Sequence, residues 1–109
     1  MRFEFATATR IVFGPGTLRE VGPLAREFGS RALVVTGARP RRAEPLLALL
    51  RDHGVAGVIW SVPGEPEIET VHGGVALGRE EKCSSVIAIG GGSALDAGKA
   101  IAAMLANTG

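Results

Sequence analysis

An apolar run meets three consecutive glycines in residues 86–96, which read VIAIGGGSALD. Val86 to Ile89 is wholly apolar and partly β-branched, which is typical of a buried strand. Residues 31–36 form a near-continuous apolar run, which is typical of a strand covered on both faces of a parallel sheet. A helix is predicted from Ser93 to about Ala106, so the glycines predict a tight turn between a strand and a helix. Backbone without side chains is therefore expected at the start of that helix.

Strands and helices alternate along the rest of the chain. The predicted elements are strands at 3–5 and 11–13, a helix from Thr17 as its cap to Gly29, a strand at 31–36, a helix ending at His53-Gly54, a strand at 55–62, a helix from Ile68 to about Lys82, a strand at 86–89 and the last helix. The first two strands are expected to pair as a ribbon. The alternation that follows predicts an α/β domain with parallel strands, right-handed crossovers and helices on both faces of the sheet.

Composition excludes several classes of function. The 109 residues are 46% hydrophobic and 21% charged, which suffices for one core in one domain over residues 1–109. Twelve basic and eleven acidic residues give a formal charge of +1, too little to predict nucleic-acid binding. No apolar run approaches the ~20 residues that cross a bilayer, so no membrane partner is expected. The single cysteine, Cys83, cannot form an internal disulfide, which favours a cytoplasmic location.

The glycine turn is a candidate anion site. A helix start offers unpaired N–H groups and a partial positive charge, and backbone without side chains lets a phosphate approach them. Ser93 is expected to be the N-cap, with Asp96 three residues later in a variant of the capping box. Leu95 and Ser93 stand where the G-x-G-x-x-G and P-loop patterns need glycine, so neither pattern fits. These residues alone leave two alternatives, a phosphate site and a purely structural turn.

At these residues the chain resembles the N-terminal domain of the iron-containing (group III) alcohol dehydrogenases, within the dehydroquinate synthase-like fold. The matching segments are FGPG at 13–16 with Leu18, LVVT at 33–36, VPGEP at 62–66, and Gly90-Gly91-Gly92-Ser93-x-x-Asp96-x-x-Lys99. The resemblance implies a Rossmann-like three-layer domain with a mostly parallel sheet and an N-terminal β-ribbon. It also implies contacts with the pyrophosphate and nicotinamide side of an NAD(P) cofactor for Gly91, Gly92, Ser93, Ala94, Leu95 and Asp96.

One departure from the family bears on the choice between NAD and NADP. Many members have an aspartate after the strand that ends in Thr36, where it meets the adenosine ribose, and this chain has Gly37 there. Arg39, Arg41 and Arg42 follow closely, and arginine is suited to binding a 2′-phosphate. We therefore expect NADP, or both NADP and NAD, as the cofactor. The alternative is that these arginines form a solvated face beside a helix start.

A second departure lies in the VPGEP segment. Glu65 stands where the family commonly has an asparagine whose amide lies near the ribose. A carboxylate can still accept hydrogen bonds from ribose hydroxyls, although it repels phosphate. Glu65 is therefore included among the expected cofactor-binding residues.

The resemblance implies that the redox chemistry needs a metal whose ligands lie outside this chain. Family enzymes transfer hydride between an alcohol carbon and the nicotinamide, and Fe²⁺ or Zn²⁺ polarises the oxygen. The resemblance places the metal ligands in an α-helical C-terminal domain beyond Gly109. His53, His72 and Cys83 are spaced too widely for a recognisable metal site, so no catalytic or metal-binding residue is predicted in this chain. We expect an inactive fragment of a longer enzyme that acts on an alcohol or aldehyde.

Other functions remain open at this point. Polyol dehydrogenases, maleylacetate reductase and dehydroquinate synthase share the fold, and a non-catalytic flavodoxin-like module is the alternative from another class. A receiver-type module would have acidic residues at its strand ends, where this chain has Thr36-Gly37, Val62-Pro63 and Ile89-Gly90. Apolar surface on the last helix predicts self-association, so a homo-oligomer is expected.

Overall fold

The computed structural model describes residues 3–7, 11–12 and 18–106, with side chains from residue 21 onward. The elements are β1 (Phe3–Thr7), β2 (Ile11–Val12), α1 (Leu18–Glu27), β3 (Arg31–Thr36), a short 3₁₀ helix (Pro40–Ala43), α2 (Glu44–Asp52), β4 (Ala56–Ser61), α3 (Ile68–Glu80), β5 (Ser85–Ile89) and α4 (Gly92–Ala106). The predicted order of strands and helices is confirmed. The FGPG segment at 13–16 and the predicted Thr17 cap lie outside the described residues.

One sheet contains the five described strands in the order β2-β1-β5-β3-β4. β3 lies in the centre of its parallel part, where Val34 is opposite Ile59 of β4 on one side and Ile87 of β5 on the other. β1 runs antiparallel to both β5 and β2, and Phe5 is opposite Val12. The predicted N-terminal ribbon is therefore confirmed, and its first strand joins it to the parallel strands.

Helices cover both faces of the sheet. Alternate residues of β3 and β5 point to opposite faces, so Val34 packs under α1 and α2 while Leu33 packs under α3 and α4. Every residue of β5 is buried, as is every residue of β3 after Arg31. The predictions that β3 is covered on both faces and that β5 is a buried strand are confirmed. β4 lies at the edge of the sheet, and its side chains are only partly covered.

Glycines inside α3 and α4 allow close packing. A Cβ at Gly98 of α4 would lie 2.6 Å from the Ala88 Cβ, so the helix approaches β5 more closely than any other residue would allow. A Cβ at Gly73 of α3 would lie 2.6 Å from the Trp60 ring, and the Trp60 Nε1–H donates to the Thr70 carbonyl at 3.0 Å. A glycine in a helix costs about 1 kcal/mol relative to alanine, and this packing offsets that cost.

The predicted helix ends agree with the structure. Gly29 follows α1 with a φ of 141°, and Gly54 follows α2 with a φ of 75°, so both adopt backbone conformations that favour glycine. At the end of α2, the Val55 N–H donates to the Leu50 carbonyl at 2.8 Å. Within the described ranges, no helix is long and apolar enough to cross a membrane.

Candidate functional site

A crevice forms at the carboxyl ends of the parallel strands. After β3 the chain passes to the face that carries α2, and after β5 it passes to the opposite face, which carries α4. β3 and β5 are neighbours in the sheet, so the chain leaves two adjacent strands in opposite directions. Ligands of α/β sheets bind at such a switch point. The structure has a cavity of about 430 Å³ there, called below the β3–β5 cavity.

Residues from two loops line the β3–β5 cavity. The lining consists of Thr36, Gly37, Ala38, Arg39, Arg42, Ala43, Ile89, Gly90 and Gly91. The structure therefore brings together three of the predicted cofactor-binding residues, Gly37, Arg39 and Gly91. The loop after β4, which was expected at the same edge of the sheet, contributes no lining residue.

Three glycines beside the cavity face open space. A Cβ built at Gly37, Gly91 or Gly92 would meet no atom within 4 Å. None of the three has a φ in the left-handed region. Gly90 differs, because its φ is 134° and its Cβ would lie 3.6 Å from the Gly37 nitrogen. Neither packing nor backbone conformation therefore requires glycine at Gly37, Gly91 or Gly92, and the space beside them is room for a ligand to reach the backbone.

The first turn of α4 presents backbone donors. The Leu95 N–H donates to the Gly91 carbonyl at 3.1 Å, which is the first hydrogen bond of the helix. The N–H groups of Gly92, Ser93 and Ala94 therefore have no acceptor within the helix. They carry the partial positive charge of the helix N-terminus, which favours an anion.

The prediction that Ser93 caps α4 is corrected. The helix begins at Gly92, and the Gly91 carbonyl accepts its first hydrogen bond, so Gly91 is at the N-cap position and Ser93 lies inside the first turn. Glycine is accepted at an N-cap, so a serine is not required there. A capping box pairs the N-cap with the residue three positions later, and Asp96 is five residues after Gly91. The predicted capping box between Ser93 and Asp96 therefore does not form.

Residues further along α4 lie away from the β3–β5 cavity. The side chains of Ala94 and Leu95 are buried at 1% and 4% exposure, where Leu95 packs in the core under α3 and α4. Asp96 is exposed and borders a groove between α3 and α4, together with Val71 and Met104. Ala94 therefore offers only its backbone to a ligand, and the Leu95 N–H is already used within the helix.

The basic residues after β3 differ in their positions. Arg39 and Arg42 line the β3–β5 cavity, whereas Arg41 does not, although all three are exposed. Glu44, the first residue of α2, is the acidic residue of that helix's first turn. Two guanidinium groups therefore border the cavity on the β3 side, opposite the glycine turn after β5.

Two hydroxyl groups hold the start of the loop after β3. Ser61 Oγ donates to the Gly37 carbonyl at 2.9 Å, and Thr36 Oγ1 donates to the same carbonyl at 3.0 Å. Thr36 and Ser61 are opposite each other in the register of β3 and β4. The sequence did not predict a role at the site for either residue. The available signal was a small hydroxyl residue at the end of each of two predicted parallel strands.

The other candidate side chains lie elsewhere. Glu65 is exposed in the loop after β4, outside the cavity lining. His53 follows α2, and its Nδ1 lies 3.0 Å from the Leu49 carbonyl, while His72 is exposed on α3. Burial raises the pKa of the Cys83 thiol, and the nearby Arg31 opposes that shift. Among the described residues, no three of the His, Cys, Asp and Glu side chains are grouped so that they can hold a metal ion.

Comparison with known proteins identifies related sequences. The family model of iron-containing alcohol dehydrogenase matches residues 8–109. NADH-dependent butanol dehydrogenase A of Clostridium acetobutylicum is 34% identical over 108 residues, which cover 94% of this chain and 28% of that protein. NAD-dependent methanol dehydrogenase of Bacillus methanolicus is 34% identical over 103 residues, which cover 90% of this chain and 27% of that protein.

A solved structure supports the same relationship. The structure of a mutant of an archaeal halo-thermophilic alcohol dehydrogenase from a Red Sea brine pool matches with a TM-score of 0.67 and 28% identity, covering 79% of this chain and 23% of that one. This chain therefore spans about a quarter of the length of these relatives. The fold and the resemblance predicted from the glycine turn are confirmed. The chain belongs to the iron-containing alcohol dehydrogenase family.

Proposed function

We propose that this chain is the nicotinamide dinucleotide-binding part of an alcohol dehydrogenase, which transfers hydride between an alcohol and an aldehyde. The observation that carries the proposal is the open space beside Gly37, Gly91 and Gly92 at the switch point of the sheet. A diphosphate needs close access to backbone N–H groups, and a side chain at Gly91 or Gly92 would block it. The relatives named for NADH or NAD support the same class of cofactor.

The proposed cofactor spans the carboxyl edge of the sheet. Its pyrophosphate accepts hydrogen bonds from the N–H groups of Gly92, Ser93 and Ala94, beside Gly91. Its adenosine half occupies the β3–β5 cavity, next to Gly37 and Arg39. The nicotinamide half then extends along α4 toward Leu95 and Asp96, and Glu65 is the residue proposed to accept from a ribose hydroxyl.

We assign the metal chemistry to other parts of the enzyme. The family is described by its iron, which as a Lewis acid would polarise the alcohol or aldehyde oxygen during hydride transfer. Curated relatives have about three quarters of their length outside the matched region, which gives room for the ligands. The chain by itself is therefore proposed to bind cofactor without catalysing turnover. Iron-dependent or zinc-dependent oxidation of an alcohol by the purified chain would contradict this.

Direct titration tests the cofactor assignment. We expect calorimetric titration of the chain to detect binding of NAD, of NADP or of both. ADP is a useful second ligand, because it carries the diphosphate without the nicotinamide. Absence of measurable binding for all three ligands would overturn the proposed function.

We further propose that the cavity accepts NADP as well as NAD. Arg39 and Arg42 line the cavity, and Gly37 provides no carboxylate to repel a 2′-phosphate. Gly37→Asp fits sterically, because a Cβ there meets no atom within 4 Å. It is expected to weaken NADP binding relative to NAD by about tenfold or more, since a new carboxylate would face the phosphate.

The neighbouring arginines provide a matched control for this proposal. Arg42→Gln removes the charge of a residue that lines the cavity. Arg41→Gln removes an equal charge from the preceding residue, which does not line the cavity. We expect only Arg42→Gln to weaken NADP binding relative to NAD, by about three- to tenfold. An unchanged ratio of NADP to NAD affinity in both Gly37→Asp and Arg42→Gln would contradict acceptance of the 2′-phosphate at this position.

A further inference from the structure

The Gly37 carbonyl is held from two sides. It accepts from Ser61 Oγ at 2.9 Å and from Thr36 Oγ1 at 3.0 Å, so both of its lone pairs are engaged. Thr36 is 2% exposed and Ser61 is half-buried, so water competes weakly for these hydrogen bonds. Glycine has the widest conformational freedom of any residue type, and the two hydroxyl groups restrict the backbone of Gly37 at the point where β3 ends.

The fixed carbonyl determines where the next N–H points. The peptide bond between Gly37 and Ala38 is trans, since the described residues include no cis peptide bond. In a trans peptide the N–H is directed opposite to the C=O. The Gly37 carbonyl points to Ser61 on β4, so the Ala38 N–H points away from β4.

The β3–β5 cavity lies on that other side of β3. Its lining comes from β3, from the loop after β3 and from β5 with its glycine turn, and it includes Ala38 but no residue of β4. The Gly37 nitrogen also lies on the β5 side, 3.6 Å from the position of a Cβ built on Gly90. By fixing the Gly37–Ala38 peptide, the two hydroxyl groups direct the Ala38 N–H toward the cavity. This donor lies on the side of the cavity opposite to α4.

We propose that Thr36 and Ser61 are positioning residues for cofactor binding, which hold the Gly37–Ala38 peptide so that the Ala38 N–H donates to an oxygen of the adenosine half. This inference rests on the proposed function, because it assigns the end of the dinucleotide that occupies the cavity. Ser61 lies outside the cavity lining, and Thr36 lines the cavity but uses its hydroxyl on the Gly37 carbonyl. Both hydroxyl groups therefore act through the peptide, and their removal leaves the cavity in place while the Ala38 N–H is no longer fixed.

Variants of the two hydroxyl residues test the inference. Ser61→Ala removes one donor at a half-buried position on the edge strand, and Thr36→Val removes the other with little change in core volume. We expect each to weaken ADP and NAD binding by about three- to tenfold in calorimetric titration, and the double variant to weaken it further. Ser61→Thr keeps a hydroxyl and is expected to retain the parent's affinity. Thr36→Val supplies the test on its own if Ser61→Ala does not fold.

Ser84→Ala is the matched control. Ser84 Oγ also donates to a backbone carbonyl, that of Arg31, at 3.1 Å, but it lies before β5 at the opposite end of the sheet. We expect Ser84→Ala to lower the melting temperature about as much as Ser61→Ala while leaving ADP and NAD affinity unchanged. If Ser61 has a purely structural role, Ser61→Ala and Ser84→Ala will both bind ADP and NAD with the affinity of the parent.

Nuclear magnetic resonance supplies a direct readout of the donor. Addition of ADP to the ¹⁵N-labelled parent is expected to shift the Ala38 amide resonance, and Ser61→Ala and Thr36→Val should reduce that shift. If the parent binds none of ADP, NAD and NADP, the proposed function fails. If the parent binds them, and both variants bind equally well with an unchanged Ala38 shift, only the positioning role is overturned.

Discussion

The two ends of the parallel sheet are built differently. At the amino end, side chains close the space between the strands and the helices. The Arg31 guanidinium donates to Glu81 at 2.7 Å, and Ser84 Oγ donates to the Arg31 carbonyl at 3.1 Å. Gly29 lies there with a φ of 141°, and a Cβ on it would collide with Ser84 Oγ. The chain's own atoms therefore occupy this end.

The carboxyl end has glycines that no internal contact explains. Gly37, Gly91 and Gly92 face open space beside a cavity of about 430 Å³. The chain leaves neighbouring strands toward opposite faces only at this end, so the crevice follows from the topology. A glycine therefore indicates binding only when neither packing nor φ requires it. Glycines at the amino end, such as Gly29, serve the fold, whereas those at the carboxyl end leave room for a ligand.

Substitution at the closed end is expected to have the largest effect. Gly29→Ala should lower the free energy of unfolding by about 3 kcal/mol, because it combines an unfavourable φ with a collision against Ser84. Urea denaturation measures this directly. Gly92→Ala is the matched control and should change the unfolding free energy by less than about 1 kcal/mol, since its Cβ enters open space. Equal losses in the two variants would remove the distinction between the two ends.

Substitution at the open end is expected to affect binding instead. Gly92→Val should weaken NAD or NADP binding by at least about tenfold, because a branched side chain would block close approach of the diphosphate. Calorimetric titration measures the affinity. Ala103→Val adds the same side chain to an exposed position far along α4 and should leave binding unchanged. Parental affinity in Gly92→Val would tell against a diphosphate at this turn.

The smallest expected effect concerns the thiol near the closed end. Burial raises the pKa of Cys83, so the folded state disfavours the thiolate. The resulting contribution to stability is present below the ordinary pKa of the thiol and is lost as the pH rises through the raised pKa. At pH 8, iodoacetamide should alkylate Cys83 at least about twofold more slowly in the folded chain than in urea. Equal rates in the two states would show that this end is open to reagent.

Local signals in the sequence account for the order of the elements. The apolar runs at 31–36 and 86–89 predicted buried strands, and both strands are buried. Gly29 and Gly54 predicted helix ends because few other residues adopt their φ values. Periodicity and turn chemistry act over a few residues, so they can be read without knowledge of distant contacts.

Non-local contacts account for what the sequence left open. The glycines of α3 have low helix propensity, but Gly73 lies against Trp60, which belongs to β4. The closeness of Gly73 to Trp60 depends on how two segments distant in sequence approach each other. The N-cap of α4 is different, because it is set locally: the Gly91 carbonyl accepts the first hydrogen bond of the helix, so Gly91 occupies the position that was expected for Ser93.

The sequence by itself determined the alternation of strands and helices and the position of the glycine turn, because these depend on local patterns of polarity and backbone freedom. Only the tertiary structure decided which glycines face open space and which lie against a neighbour. It also placed the hydroxyls of Thr36 and Ser61 on one carbonyl, since that arrangement requires two strands in parallel register.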